Sequence, residues 1–323
     1  MRENVIDRRM FVTATGAAAL AGVLPSAGVH AQQPAPAAVP NSAGTEAPKL
    51  TAPANACDCH MHIYDPERFP PPRPGSRLQA NARAVDYKLL QRRLGTARTV
   101  VVTPAAYGTD NRVTLDAVAQ LGNARGVAVV LPEVTDAELK TLDQGGIRGI
   151  RFTVFDPATA VTKIDMIEGL ARRIEPLGWH VQLHMRGDQI VESAAILDRV
   201  VAPMVIDHIG RIPHPAGVDH PAFPIMRRLI DKGRTWVKLS GAYQDTKMGP
   251  PTYADVTRVA QALVKAAPER MVWGSDWPHP TEKDKPNDAV LFDLLSEWAP
   301  DDATRRRILV DNPAGLYGFA RAG

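Results

Sequence analysis

Cysteine is almost absent: there are two in 323 residues, Cys57 and Cys59. Side chains at i and i+2 of an extended chain cannot reach disulfide geometry without breaking the strand, so no disulfide framework staples this chain. The pair is read as small buried packing residues, not as a metal or redox site. Aromatic residues are also scarce, at 6%, and no stretch of about eighteen apolar residues marks a membrane span. Charge has no dominant sign. Lys+Arg number 38 and Asp+Glu 35, interspersed, for a formal net charge of +3, which excludes the basic stripe of a nucleic-acid binder. No Gly-rich dinucleotide fingerprint follows any candidate strand, which removes the commonest use of an open doubly wound sheet. What remains is an ordinary globular composition, 45% hydrophobic and 23% charged. The length suits one large α/β barrel or two modest domains.

The N-terminus is built differently. Arg8-Arg9 precede Met10-Phe11-Val12, an Ala/Gly-rich run extends from Ala14 to Val23, and Val29-His30-Ala31 offers small residues at a cleavage spacing. Residues 1–31 are therefore expected to be a Tat-type (twin-arginine) export signal that sends the folded protein to the periplasm, with no membrane association after cleavage. Residues 32–53 are Pro/Ala-rich without apolar periodicity and are expected to be a disordered linker, because such a segment buries too little surface to offset its ordering entropy. The folded domain is expected over 54–323.

From Asn55 onward, short apolar runs alternate with longer amphipathic stretches. The runs predict strands over 56–63, 99–103, 126–131, 149–154, 180–184, 204–206, 235–239 and 271–274. The stretches between predict helices over 84–94, 111–120, 137–142, 166–176, 190–200, 221–231, 254–266 and 289–298. This repeated β-then-α unit predicts the α/β class and a single (β/α)₈ TIM barrel. The strand runs are nearly continuously apolar, as parallel strands covered on both sides require. His62, Tyr107, Arg151, His184, His208, Ser240 and Asp276 each fall at or just after the end of a run, and in a barrel those ends converge on one rim.

Asp58-Cys59-His60-Met61-His62 closes the first run. Strict alternation would turn Asp58, His60 and His62 one way and Cys57, Cys59 and Met61 the other. Leu183-His184-Met185-Arg186 closes the fifth run and Asp207-His208-Ile209-Gly210-Arg211 the sixth. Trp273-Gly274-Ser275-Asp276-Trp277-Pro278-His279 closes the eighth. A His-x-His after strand one, single histidines after strands five and six, and an aspartate after strand eight resemble the amidohydrolase superfamily. The GSDWPH and DHIGR strings resemble its amidohydrolase 2 branch, and within it the group of 2-pyrone-4,6-dicarboxylate lactonases and D-galactarolactone isomerases. The resemblance spans roughly residues 55–320.

Two chemistries fit this resemblance. In one, His60, His62, His184 and Asp276 hold a mononuclear divalent metal such as zinc, with a position open for water. In the other, no cofactor is required: the histidines polarise a substrate carbonyl and Asp276 draws a proton from water. Arg148-Gly149-Ile150-Arg151-Phe152 carries no strand-four lysine, so the carboxylated-lysine bridge of a binuclear site is not expected. Arg151, Arg186 and Arg211 follow strands four, five and six and are expected to grip an acidic substrate by bidentate carboxylate recognition. Tyr107, Asn111 and His279 are candidate substrate contacts, and His208 is expected to help hold Asp276 or the ligand. Phe152-Thr153-Val154-Phe155-Asp156-Pro157 lacks the second basic residue that a pyrone dicarboxylate would call for, so a lactone with one carboxylate or another acidic group is the better fit.

The expected activity is hydrolysis or isomerisation of a small acidic lactone. The alternatives are a metal-dependent decarboxylase of an aromatic or muconic-type acid and, from another class, a periplasmic binding protein for an acidic metabolite. Formation of a homo-oligomer is left open.

Overall fold

The computed structural model describes residues 38–72 and 76–320. The apolar runs become eight parallel strands joined in sequence order. They are β1 (Cys57–Met61), β2 (Arg98–Val102), β3 (Ala124–Ala128), β4 (Ile147–Thr153), β5 (His180–His184), β6 (Met204–Ile206), β7 (Thr235–Leu239) and β8 (Met271–Trp273). Main-chain bonds lead from the end of β8 back to β1: Asp276 N donates to His60 O and His62 N to Trp277 O, each at 2.8 Å. The sheet thus forms the predicted (β/α)₈ barrel, and its seam lies at residues expected to do chemistry.

The helices form where an apolar stripe recurs. In Ile167–Ile174 the buried residues are Ile167, Leu170, Ala171 and Ile174, one face of a helix. Asp136–Gln144 opens with a reciprocal cap: Glu138 N donates to Thr135 Oγ1 (3.2 Å) and Thr135 N to Glu138 Oε2 (2.7 Å). The helix expected over 190–200 is instead two pieces, Gly187–Glu192 and Ala194–Leu197, because Ser193 between them leaves helical geometry at φ −96°, ψ 4°. No helix among the described residues is long and apolar enough to cross a membrane.

Alternate strand positions separate two buried sets. Val101, Ile150, Leu183 and Val237 pack with the helical layer. Cys57, Cys59, Val100, Val102, Val127 and Val272 face the barrel interior together with Tyr317 and Phe319 from the C-terminal segment. That segment is tied to the starts of β2 and β3, where Arg98 Nη2 donates to Ala320 O (2.6 Å) and Arg125 Nη2 to Gly318 O (2.9 Å). Each fully buried aliphatic side chain contributes roughly 1.5–3 kcal/mol to folding.

β1 departs from strict alternation. Its pairing with β2 steps from Asp58↔Thr99 to Met61↔Val101, which leaves one residue too many on β1, a bulge. Cys59 and His60 consequently both turn inward. Asp58 turns to the helical layer, where it accepts from Tyr87 Oη at 2.9 Å. The expectation that Asp58 shares a face with His60 and His62 is therefore corrected, because one inserted residue inverts the parity.

Residues 1–31, expected as an export signal, lie outside the described residues, as do 32–37 of the expected linker. The remainder of that linker is not a free tether. Val39 is buried, and Pro40 O accepts from Trp277 Nε1 at 2.7 Å. Asn41 Nδ2 donates to Ala80 O (2.9 Å), Arg93 Nε donates to Glu46 O (2.8 Å), and Leu50 N donates to Asp293 Oδ1 (2.8 Å). The strap needs no apolar face of its own because hydrogen bonds to barrel loops and helices hold it in place.

Candidate active site

The site begins with a close approach. A β-carbon on Gly274 would lie 2.6 Å from His60 Cβ and 2.9 Å from His60 N, so only glycine lets the chain leaving β8 run this near β1. Ser275 then docks on Asp58, donating from N (2.9 Å) and Oγ (2.6 Å), while His60 N donates to the same carboxylate at 3.1 Å. Asp276 follows at φ 64°, a left-handed conformation that few residues other than glycine adopt. His208 (φ 51°) and Ile209 (φ 55°) occupy the same region. For a β-branched residue this is strained backbone, and it sits where β6 delivers His208 to the rim.

The two oxygens of Asp276 have different surroundings. Oδ1 lies 3.4 Å from His62 Nε2, 3.5 Å from His60 Nε2 and 4.0 Å from His208 Nε2. Oδ2 accepts from Tyr243 Oη (2.6 Å) and Gln244 Nε2 (2.8 Å). His279 stands behind Tyr243, with Nδ1 3.0 Å from its hydroxyl and Nε2 3.1 Å from Asp288 Oδ2. His62 is oriented by Val102 O, 2.8 Å from its Nδ1, and His208 by Ser240 Oγ, 2.9 Å from its Nδ1.

Beneath this wall lies a buried charged layer. Lys238 Nζ donates to Gln182 Oε1 at 2.7 Å and lies 3.2 Å from His60 Nδ1. Asp207 Oδ2 accepts from Arg151 Nε and Gln182 Nε2, each at 3.0 Å. These groups set the protonation of the wall. Burial, reinforced by Lys238, pushes His60 well below the ordinary histidine range. Burial and the Arg151 charge do the same to His184, and burial brings His208 down to about 4. Burial alone would raise Asp276, but the fields of His208, His62 and His60 hold its carboxyl well below the usual carboxylate range. Asp207 is held low in the same way, burial being outweighed by Lys238, His60 and Arg151. The surroundings thus favour an ionised Asp276, while burial disfavours protonation of His60, His184 and His208.

A cavity of about 590 Å³ opens over this arrangement, with His62, Arg151, His184, His208 and Asp276 among its lining and Arg77 contributing from the segment between β1 and the first helix. The predicted residues sort accordingly. His62, His184, His208, Asp276 and Arg151 line one cavity. His60 lies one layer below, fully buried. Arg186 and Arg211 are not among the lining residues. Both guanidinium groups stack on Phe155, at 5.4 and 4.4 Å from its ring centre, and Phe155 in turn stacks on His184. Arg211 is also paired with Asp245, through Nη2 at 2.9 Å, and lies 3.3 Å from His184 Nε2. His279 reaches Asp276 through Tyr243. Tyr107 is buried with its hydroxyl accepting from Asp65 N, and Asn111 uses its amide to join Thr103 to Val129; neither is a lining residue.

Several participants were missed in the sequence. Lys238 is the single charge inside the apolar run Trp236-Val237-Lys238-Leu239, and that oddity was the available signal. Tyr243 and Gln244 follow the end of β7 by a few residues, but nothing local marks them. Arg77 does not follow a strand end closely, so the rim argument passes over it.

A metal at this site would draw on His60, His62 and Asp276, whose facing donor atoms are 3.3, 3.4 and 3.5 Å apart. Donors of a tetrahedral zinc with bonds near 2.0–2.1 Å stand about 3.3 Å apart, so the spacing fits. His62 also fits, since a ligating imidazole donates its other N–H outward. His60 does not: its outer nitrogen faces the Lys238 amine, a donor. His184, expected as a further ligand, has Nε2 turned to Arg211.

An eight-stranded α/β barrel with a histidine-flanked aspartate at the strand ends defines a class of barrel enzymes. A family model described as amidohydrolase matches residues 57–319, and the chain belongs to this family. It is 37% identical to a 4-sulfomuconolactone hydrolase of Rhizobium radiobacter, over 82% of this chain and 91% of that protein. It is 31% identical to a D-galactarolactone isomerase of Agrobacterium fabrum, over 84% of this chain and 94% of the other. The apo crystal structure of an Agrobacterium tumefaciens protein superposes with a TM-score of 0.78 at 31% identity, covering 85% of this chain and all of that one.

Proposed function

We propose that this enzyme opens the ring of a small anionic lactone by hydrolysis. The observation that carries the reading is the asymmetric aspartate: Tyr243 and Gln244 occupy Asp276 Oδ2, while Oδ1 faces the imidazoles at the floor of the cavity. A carboxylate held at one oxygen and presented at the other suits a general base. Asp276 Oδ1 takes a proton from water as the water oxygen attacks the lactone carbonyl carbon. Negative charge then develops on the carbonyl oxygen. His184 and His208 line the cavity wall and are the imidazoles to meet it. Collapse expels the ring oxygen, which recovers the proton from Asp276, giving the open hydroxy- or oxo-acid. If a substrate hydroxyl replaces water, the same steps convert one lactone into another.

Substrate anchoring falls to guanidinium groups. Among the described residues Arg151 binds Asp207 through Nε alone, which leaves its two terminal nitrogens for a carboxylate. Arg77 brings a second guanidinium to the cavity, which accommodates a second acidic group on the lactone. The relatives named for an acidic lactone support this substrate class.

The test is a hydrolysis screen over carboxylated and sulfonated lactones, run with and without chelator. Turnover of at least one such lactone is expected. A screen blank for every lactone, with carbon dioxide released from an aromatic or muconic-type acid, would overturn the reading. Ligand binding without any turnover would make the chain a binding protein. We also infer export by the twin-arginine route from Arg8-Arg9 and the apolar run after them. A reporter fused to residues 1–31 should reach the periplasm and stay inside when both arginines are replaced by lysine.

A further inference from the structure

The contacts below Asp276 form a chain with a fixed donor at one end and a fixed acceptor at the other. Lys238 Nζ lies 3.2 Å from His60 Nδ1, His60 Nε2 lies 3.3 Å from His62 Nε2, and His62 Nδ1 lies 2.8 Å from Val102 O. The ammonium at one end only donates, and the carbonyl at the other only accepts. A neutral imidazole donates from one nitrogen and accepts at the other. From the carbonyl end, His62 donates from Nδ1 and accepts at Nε2, so His60 donates from Nε2 and accepts at Nδ1. From the ammonium end, His60 accepts at Nδ1 and therefore donates from Nε2. Both ends dictate the same pair of tautomers.

The competing arrangement puts the His60 proton on Nδ1, toward Asp207 Oδ1 at 3.3 Å. That contact is not aligned as a hydrogen bond, for Asp207 Oδ1 has none among the described residues. Lys238 is placed as an ammonium: it donates to Gln182 Oε1 at 2.7 Å, lies 3.2 Å from His60 Nδ1, and has the Asp207 carboxylate 3.5 Å away as a counter-charge. Charge balance agrees. Lys238 and Arg151 offset Asp207 and Asp276, all four buried, and a neutral lysine would leave an uncompensated buried negative charge.

We propose that Lys238 and His60 are positioning residues: together they fix the ring proton of His60 on Nε2, the nitrogen that faces His62 and Asp276, and so close His60 to metal ligation. The inference concerns the resting protein and rests on the proposed lactone chemistry only for its catalytic meaning.

Two measurements on the full chain test it, and neither requires turnover. The first is long-range proton–nitrogen NMR of histidine-labelled protein, with the His60 signals assigned by their loss in His60→Gln. His60 is expected to show a protonated Nε2 and an unprotonated Nδ1, and the reverse pattern overturns the proposal. The second is a zinc titration of Lys238→Met against the unsubstituted protein. Freed of the ammonium, His60 can turn its proton to Asp207 and offer Nε2, so the variant is expected to bind zinc at least about tenfold more tightly, the scale of outer-shell effects on metal sites. Equal affinity in the two proteins overturns the proposal. Should Lys238→Met fail to fold, the His60 nitrogen pattern in the unsubstituted protein decides alone. A chain that opens no lactone yet shows both results would sink the lactonase reading and leave this one standing.

Discussion

Tyr243 donates its hydroxyl to Asp276 Oδ2 at 2.6 Å, and this bond holds one oxygen of the carboxylate while the other faces the imidazoles of His62 and His60. Burial, with the Asp276 charge added, pushes Tyr243 well above its ordinary pKa, so the phenol stays a donor at any working pH. A hydrogen bond to a charged group contributes about 1.5–3 kcal/mol. Tyr243→Phe is therefore expected to lower kcat by about tenfold or more while KM stays nearly constant. Steady-state kinetics check this, and an unchanged kcat would show that the orientation of Asp276 does not depend on the phenol.

Asp276→Asn keeps the shape of the base and removes its charge. Loss of a general base typically costs about 10²–10⁴ in rate, and kcat should fall within that range. Affinity for an unreacted lactone, measured calorimetrically, should be largely kept. A variant with full turnover would exclude Asp276 as the proton acceptor.

Removal of residues 1–53 takes away the strap that caps Trp277, including the Pro40 carbonyl that the indole N–H uses. Trp277 directly follows Asp276, so both stability and rate should suffer. About 1 kcal/mol corresponds to roughly 2–4 °C of Tm in a domain of this order of size, and a drop of at least about 4 °C is expected together with red-shifted tryptophan fluorescence. A truncated chain with unaltered melting and kcat would mean that the strap is only a passenger.

The buried histidines make stability pH-dependent in a definite direction. His60 and His184 are held well below the ordinary range, His208 at about 4 and His180 at about 3, each chiefly by burial. Between those values and the unfolded value near 6.5 the unfolded chain binds more protons than the folded one, so stability is fully present above about 6.5 and lost as pH falls toward 4. The same lowering predicts that protonation of His60, His184 and His208 adds no acid limb near 6.5 to the pH–rate profile, their limb lying instead toward 4. Thermal melts and kcat/KM from pH 4 to 8 report both, and a rate limb at 6.5 that disappears on substituting His184 or His208 would contradict the lowered histidines.

Arg77 is exposed where it lines the cavity, so Arg77→Ala should leave Tm within about 1 °C, as surface changes usually do. For a lactone with two acidic groups, KM should rise about tenfold, and for a lactone with one it should change little. Equal effects on both substrates would remove Arg77 from recognition of the second acid.

Much of this protein is legible in one dimension. Apolar runs with β-then-α spacing specify the barrel, because each strand and helix must bury one face whatever its partner turns out to be. Polar residues closing those runs point to the rim, and His62, His184, His208, Asp276 and Arg151 line the cavity that opens there. What the chain hides are relations between distant residues. The bulge in β1 appears only when Asp58 and Met61 are paired with Thr99 and Val101, so parity within β1 alone misplaced Asp58. Composition marks residues 32–53 as a tether, since the hydrogen bonds that hold 38–53 to a surface formed elsewhere leave no periodic trace. Arg186 and Arg211 looked like substrate contacts, yet packing on Phe155 takes them from the cavity wall. Lys238 and His60, 178 positions apart in sequence, meet only once the barrel has formed, and the direction of their hydrogen bond belongs to the tertiary structure alone: a proton's place on an imidazole depends on what stands at both of its nitrogens, and folding brings those neighbours from different strands.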